Sequence, residues 1–135
     1  MTRSELKNRC EQIEEAYEFM LAYAAQGLPS DQGSGSGSRL REFLRRSDAA
    51  LTGLADLFRE LVRAEQVQSA DKHHAFIGVL ERDASDAQAA IQLVLAQPSI
   101  SSQLVDNLNA SIHLRALLAD LFLIDEILKT TAPAS

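Results

Sequence analysis

Residues 107–129 constrain the fold of this 135-residue chain most strongly, because they form a segment that is apolar on almost every side. Within it, residues 116–124 contain a single polar side chain, that of Asp120. An ordinary surface helix has one apolar stripe, which faces the core. A helix as apolar as this one must be covered on nearly all sides, by other helices of its own chain or by a second subunit.

The composition indicates a helical globular protein. Hydrophobic residues make up 46% of the chain, and prolines and β-branched runs are few. The net charge of −6 argues against nucleic-acid binding, which needs a basic face. No apolar run is long enough for a membrane span, and the N-terminal residues lack the apolar core of a signal peptide. Because Cys10 is the only cysteine, no internal disulfide can form, and we expect a cytoplasmic protein.

The spacing of the apolar residues predicts four helices, at about 4–26, 39–67, 70–97 and 100–130. The joints after the second and third helices are only a few residues long, which favours antiparallel neighbours. We therefore expect residues 1–135 to form one all-α domain, an antiparallel up-down-up-down four-helix bundle. An alternative is a pair of helical hairpins whose packing is completed only in a dimer.

Between the first two predicted helices lies a Gly/Ser-rich linker, residues 27–38, with the sequence GLPSDQGSGSGS. Alternating glycine and serine has no capacity to pack and is typical of flexible coil. The linker is therefore predicted to be exposed and dispensable, with Ser38 as the N-cap of the second helix. The sequence leaves open whether the repeat is natural or an engineered replacement of a loop.

The second predicted helix starts with a cluster of arginines, which opposes the helix macrodipole. The nearest compensating charges are glutamates of the first helix, which an antiparallel arrangement brings alongside. An alternative is a docking patch for an acidic partner. The arginines are Arg39, Arg41, Arg45 and Arg46, and the glutamates are Glu11, Glu14, Glu15 and Glu18.

The last predicted helix supplies a candidate interface. In a monomeric bundle its outer side would leave Ile112, Ala116, Ala119 and Leu123 facing water. Pairing of this patch between two chains would cover it, so a homodimer is predicted. The competing account makes this the central helix of an irregular bundle, wrapped by the other three.

A candidate ligand pocket is predicted at the end of the first helix, where Tyr17, Met20 and Tyr23 gather with Arg46 at the border. The same aromatic stripe is also typical of core packing. No Glu-x-x-His, His-x-x-x-His or Cys-x-x-Cys spacing occurs, so no metal or other cofactor is predicted. A metal held by His73 or His74 with a distant carboxylate is left open.

His113 is a candidate polar site on the last helix. The run His113-Leu114-Arg115-Ala116 resembles the His-x-Leu-Lys-Gly acceptor motif of histidine phosphotransfer domains, which are acidic four-helix bundles of similar size. The leucine and the basic residue come one position early and the glycine is missing. The alternative is a half-buried histidine that is hydrogen-bonded to Asn109 or to a partner helix. Asp120 and Asp125 interrupt apolar runs, and Arg115 and Lys129 are their expected partners.

Taken together, the sequence predicts a non-enzymatic interaction protein: a homodimeric adaptor, chaperone-like factor or regulator. Its predicted partner is a second copy of itself, with another protein as a further candidate, and neither nucleic acid nor a membrane is expected to bind. A small-ligand- or metal-binding bundle is the first alternative. A histidine-phosphotransfer-like protein that uses His113 is the second. Cys10, on an apolar stripe, is predicted to be a buried structural residue rather than a reactive thiol.

Overall fold

The computed structural model describes residues 2–130, and this part of the chain is all-helical, as predicted. It contains six helices rather than four, because the second and fourth predicted helices are each interrupted once. The helices are α1 (Thr2–Ala25), α2 (Gly35–Leu51), α3 (Leu54–Ala64), α4 (Ala70–Leu95), α5 (Ser102–Ala110) and α6 (Ile112–Thr130). None of them, within the described residues, combines the length and apolarity needed to cross a membrane.

The first interruption lies at Thr52 and Gly53, between α2 and α3. Gly53 has a φ of 72°, in the left-handed region, and Thr52 is extended. The left-handed conformation is open to glycine at little cost, whereas a residue with a Cβ is strained there. Gly53 therefore ends α2, and the prediction of an uninterrupted helix through this glycine was wrong.

The second interruption lies at Ser111, between α5 and α6. Ser111 is extended, with φ −64° and ψ 143°, and its Oγ accepts a hydrogen bond from the backbone N–H of Leu114 at 3.4 Å. A serine in this conformation is a favourable N-cap, so it starts a new helix. Because the apolar spacing continues through the break, the sequence predicted one helix at 100–130 where the structure has two.

The helix after the Gly/Ser-rich stretch starts earlier than predicted. α2 begins at Gly35, and its N-cap is Ser34, whose Oγ accepts from the N–H of Gly37 at 2.9 Å. Gly37 is buried, and a Cβ at this position would lie 1.7 Å from the carbonyl oxygen of Asp31. The prediction that Ser38 is the cap was wrong, and the stretch makes a close backbone contact that only glycine permits.

Two long helices, α1 and α4, make most of the contacts between helices, and α1 runs opposite to α2 and α3. α1 packs on α2, α3 and α5, and α4 packs on α2, α3, α5 and α6. Arg3 at the start of α1 pairs with Glu65 after α3, whereas Phe19 near its end stacks on Phe43 of α2, so α1 runs opposite to α2 and α3. The largest enclosed core side chains are Tyr23, Ile13, Met20, Leu40, Leu44, Leu54, Ile77, Leu80, Ile91, Ile100, Leu114 and Leu117.

A buried ion pair between Asp31 and Arg41 ties the α1–α2 connection, α2 and the α4–α5 connection together at one end of the molecule. Asp31 is 7% exposed, accepts from Arg41 Nε at 2.5 Å and accepts from the N–H of Ile100 at 2.7 Å. The Arg41 guanidinium also donates to the carbonyl oxygens of Leu95 and Gln97. Arg41 is the first cause of a lowered pKa at Asp31, which keeps this carboxylate ionised.

Candidate functional sites on the last helix

The outer face of α6 is an exposed apolar stripe. We use the name α6 stripe for residues spaced so that they share one side of the helix, namely Ile112, Ala116, Ala119, Leu123 and Ile127. Ile112 is 74% exposed and Leu123 is 51% exposed, while Ala116 is partly exposed and Ala119 is exposed. Isolated exposed hydrophobic residues are ordinary, but a continuous row of them along one helix marks an interaction surface.

A flank of the α6 stripe carries an aromatic residue and two unpaired charges. Phe122 is 59% exposed and lies on the same side of α6 as Arg115 and Glu126. Within the described residues neither Arg115 nor Glu126 has a hydrogen bond or an ion pair. Arg115 was predicted to pair with Asp120, and that prediction was wrong, because Asp120 points to the opposite flank. The predicted pair of Asp125 and Lys129 is present, at 3.4 Å.

The other flank of α6 contacts α4 through two carboxyl groups. Asp120 is 9% exposed and lies beside Asp83 of α4. Burial first, and then the hydrogen bond and negative charge of Asp83, raise the pKa of Asp120 to about 7. Oδ2 of Asp120 is buried and receives no hydrogen bond from an N–H or hydroxyl group of residues 2–130, so the carboxyl group of Asp83 is its polar neighbour. With its pKa raised to about 7, Asp120 keeps its proton through the acidic range, and this proton can be donated to the neighbouring carboxylate.

A cavity separates α6 from α1. Because the chain bends at Ser111, α5 packs on α1 whereas α6 packs on α4, and α6 meets α1 at the Arg3 side chain, which donates to the carbonyl oxygen of Leu128 at 3.4 Å. The resulting space, about 380 Å³, is closed at the back by α3. Its apolar wall consists of Leu6, Cys10, Phe58, Leu61, Leu121 and Leu128. This volume lies at the small end of the range for ligand pockets in proteins.

Charged side chains line the mouth of the cavity. Arg3 and Lys129 are engaged with Glu65 and Asp125, respectively. The remaining charged residues are Lys7, Glu11 and Glu14, none of which forms an ion pair with another described residue. One cation therefore faces two carboxylates, and the mouth carries an excess of negative charge.

The pKa values of Cys10 and Glu14 at the cavity are both raised, in part by neighbouring negative charges. Burial, followed by the charges of Asp125, Glu14 and Glu11, raises the pKa of the Cys10 thiol to about 12. Burial, followed by the charges of Asp125 and Glu11, also raises the pKa of Glu14. Because the thiolate is the reactive form, Cys10 is a poor nucleophile at neutral pH.

The predicted pocket at the end of α1 is not open to solvent. Met20 is 1% exposed and Tyr23 is 0% exposed, and the Tyr23 hydroxyl donates to the carbonyl oxygen of Ile100 at 2.8 Å. Tyr17 is half-buried against the core. Arg46 is exposed and pairs with Glu42 of its own helix. These four residues are therefore core and surface positions of the α1–α2 contact, and the cavity lies at the opposite end of α1.

Two arginines of the predicted cluster lie over aromatic rings at the contact between α1 and α2. Within the described residues no ion pair joins the arginine cluster to the glutamates of α1. The Arg39 guanidinium lies over the ring of Phe19 at 5.1 Å, and that of Arg46 lies over Phe43 at 5.6 Å. The stacked aromatic pair, with ring centroids 4.7 Å apart, takes the place that the sequence assigned to carboxylates.

The histidines are not brought together with other metal-ligating groups. Among residues 2–130, no three His, Cys, Asp or Glu side chains are close enough to hold a metal ion. His113 is exposed, and neither polar atom of the buried Asn109 side chain has a hydrogen-bond partner in the described residues, so the expected bond between them is not formed. His73 Nδ1 lies 3.0 Å from the carbonyl oxygen of Ser69. Nothing in the structure explains the unpartnered Asn109.

The chain matches no protein family, no curated protein and no solved structure. Its function must therefore be argued from the geometry of the α6 stripe, of the carboxyl pair and of the cavity.

Proposed function

We propose that this protein is a non-enzymatic, homodimeric interaction protein whose subunits associate through the α6 stripe. The observation that carries the proposal is the exposure of large apolar side chains along one face of α6, foremost Ile112, Phe122 and Leu123. Because each exposed apolar side chain loses favourable burial, covering the row between two copies stabilises the pair at about 25 cal/mol per Å² of apolar surface.

The order of large and small residues along the stripe favours an antiparallel pairing about a two-fold axis near Ala119. In that arrangement, Ile112 of one copy meets Ile127 of the other, and the small Ala116 receives Leu123. The two Ala119 residues at the centre let the helices approach closely. Large residues thus fill the spaces left by small ones, as required for close packing.

The charges of the flank support the same orientation. In antiparallel pairing, the flank of one α6 meets the same flank of the other, so Arg115 of each copy faces Glu126 of its partner. Both side chains lack an ion-pair partner within the described part of a single chain. A contact of this size, made by one 19-residue helix per subunit, is expected to give an affinity in roughly the micromolar range.

Two further features belong to the proposal. We treat α2–α3 and α5–α6 as two bent rods, so that the chain is an antiparallel up-down-up-down four-helix bundle with two interruptions. The opposite directions of α1 and α2–α3 support this arrangement. We also place the protein in the cytoplasm, where its single cysteine would remain a free thiol. Within this class, an adaptor, a chaperone-like factor and a regulator share the same dimeric surface.

The test is sedimentation equilibrium of the wild-type protein and of a variant with Ala119→Glu and Leu123→Glu. We expect a concentration-dependent dimer for the wild type and a folded monomer for the variant, because two buried charges without partners oppose association. The matched control is Leu21→Glu, which places a charge on an apolar residue of α1 that is 47% exposed, and it should leave the dimer intact. A wild-type protein that remains monomeric at several hundred micromolar (roughly a hundredfold above the expected dissociation constant) would overturn the proposal.

A further inference from the structure

The cavity between α1, α3 and α6 is a feature that dimerisation through the α6 stripe does not use. The stripe lies on the outer side of α6, whereas the cavity is lined by Leu121, Asp125 and Leu128 on the inner sides of the helix. Occupation of the cavity is therefore independent of dimer formation.

Shape and wall chemistry define the size and character of an occupant. The cavity has a volume of about 380 Å³, and its wall is built from leucines of three helices and from the ring of Phe58. Such a space suits a small molecule with an apolar body rather than a peptide or a sugar. Cys10 lies within the wall, half-way along the α1 side.

The charges at the mouth define the polar end of the occupant. After the ion pairs of Arg3 and Lys129 are taken into account, Lys7 is the single unpaired cation against Glu11 and Glu14. Asp125 adds to the negative field that Cys10 and Glu14 experience, and its partner Lys129 offsets part of that field at Glu14. A ligand with one positive charge would neutralise this excess, whereas a carboxylate or phosphate would be repelled.

We propose that the cavity binds a small aliphatic amine, with its apolar chain against Leu6, Phe58 and Leu121 and its ammonium group beside Glu11 and Glu14. The wall excludes water from the chain, and the carboxylates accept hydrogen bonds from the ammonium group. Burial and acidic neighbours disfavour the anionic form of Glu14. A bound ammonium group would give this carboxylate a counter-ion. The cavity would therefore accept aliphatic amines in general, and its volume would limit the length of their apolar chain.

Binding is measured with n-octylamine below its micelle concentration, with octanoate and 1-octanol as probes of the same length. Isothermal titration calorimetry should detect one octylamine per chain, and octanoate should bind at least roughly tenfold more weakly because its charge is reversed. Because Cys10 is the only cysteine, its alkylation by iodoacetamide serves as a reporter from inside the cavity. Octylamine at saturation should slow this alkylation, and octanoate should not.

Two substitutions at the mouth separate charge recognition from simple apolar binding. Glu14→Gln removes one carboxylate and should weaken octylamine binding about fivefold, as expected for one partly exposed charge pair. Lys7→Gln removes the competing cation and should leave the affinity unchanged or increase it. The far-ultraviolet circular dichroism spectrum and the melting curve of each variant show whether the fold is retained.

Each alternative outcome overturns the proposal in a defined way. Absence of saturable octylamine binding shows that the cavity is not a ligand site. Equal affinities for octylamine and octanoate, or an unchanged affinity in Glu14→Gln, show that the mouth does not select a cation. Saturable binding that leaves the alkylation rate of Cys10 unchanged places the amine elsewhere on the protein. The dimer proposal survives all of these results, because its test is the state of association.

Discussion

Two aspartates show how differently this fold treats a buried carboxyl group. Asp31 has a guanidinium and a backbone N–H as partners, and its pKa is lowered. Asp120 has a second carboxyl group as its neighbour, and its pKa is raised to about 7. The first residue stabilises the fold as an anion, whereas the second is best accommodated when it carries or shares a proton.

We predict that the protein loses stability as the pH rises from about 4 to about 7, the interval between the ordinary pKa of an aspartate and the raised pKa of Asp120. A carboxyl group whose pKa is raised in the folded state binds more protons there than in the unfolded chain, so the free energy of unfolding falls with increasing pH across that interval. The loss is expected to be on the order of 1–2 kcal/mol after allowance for solvent screening. Urea denaturation midpoints at several pH values measure it.

Asp120→Asn is the matched variant for this prediction. It retains the shape of the side chain but cannot lose a proton, so the decline in stability over this pH interval should largely disappear. Groups with lowered pKa values, such as Asp31 and Glu65, do not confuse the measurement, because their stabilising effect is lost only at more acidic pH. An identical decline in wild type and variant would show that the carboxyl pair is not its source.

At the scale of the helices, the spacing of apolar residues predicted an all-helical structure and where most of the helices lie. The breaks between α2 and α3 and between α5 and α6 come from the backbone conformation at single residues. Apolar spacing is the same on both sides of Gly53 and of Ser111, so it predicted continuous helices there. The signals that mark the breaks are a glycine that can adopt a positive φ and a serine that can act as an N-cap. Both residue types also occur inside helices, which is why the sequence alone did not separate the two cases.

The start of α2 gives the clearest test of an element-level contact. We predict that Gly37→Ala destabilises the protein by about 1–3 kcal/mol, because the new Cβ collides with backbone that cannot rotate away. Its position would be 1.7 Å from the carbonyl oxygen of Asp31, and the displaced loop would carry Asp31 away from Arg41. Chemical denaturation of the purified variant measures the change in the free energy of unfolding.

Gly35→Ala is the control, two residues away in the same helical turn. A Cβ at Gly35 meets no atom within 4 Å, so this variant should be as stable as the wild type or more stable by about 0.5 kcal/mol. Similar effects at the two glycines would mean that the Gly/Ser-rich stretch acts as a passive connection, as the sequence predicted. A large difference would mean that its register is fixed by the contact with Asp31.

For the whole molecule, the sequence located the exposed apolar face of α6 but not the cavity. The exposed residues of this face include Ile112, Ala119 and Leu123, as expected. The pattern of apolar residues within one helix is enough to identify such a face. The cavity depends on the bend at Ser111, which directs α5 towards α1 and α6 towards α4. The pairing of Arg41 with Asp31 and of Asp120 with Asp83 likewise depends on contacts between distant segments, which no local pattern encodes.

The orientation of the proposed dimer is tested by exchanging the charges on the flank of the α6 stripe. In the antiparallel pairing, Arg115→Glu places two glutamates opposite each other at both ends of the interface, and Glu126→Arg places two arginines there. Each single variant should raise the dissociation constant of the dimer about tenfold, since two exposed ion pairs are replaced by two repulsive ones. The difference should shrink at about 500 mM salt, where charges are screened beyond a few ångströms.

The double variant, Arg115→Glu with Glu126→Arg, decides between orientations. In the antiparallel pairing it recreates both ion pairs with their polarity exchanged, so the dissociation constant should return towards the wild-type value. In a parallel two-fold pairing, this flank of one helix would meet the opposite flank of its partner, so Arg115 and Glu126 would not face each other in any of the four proteins. Reversal would then change nothing, and four equal dissociation constants by sedimentation equilibrium would reject the antiparallel arrangement while retaining the dimer. Four monomeric proteins would reject the interface itself, because the apolar stripe is intact in each of them.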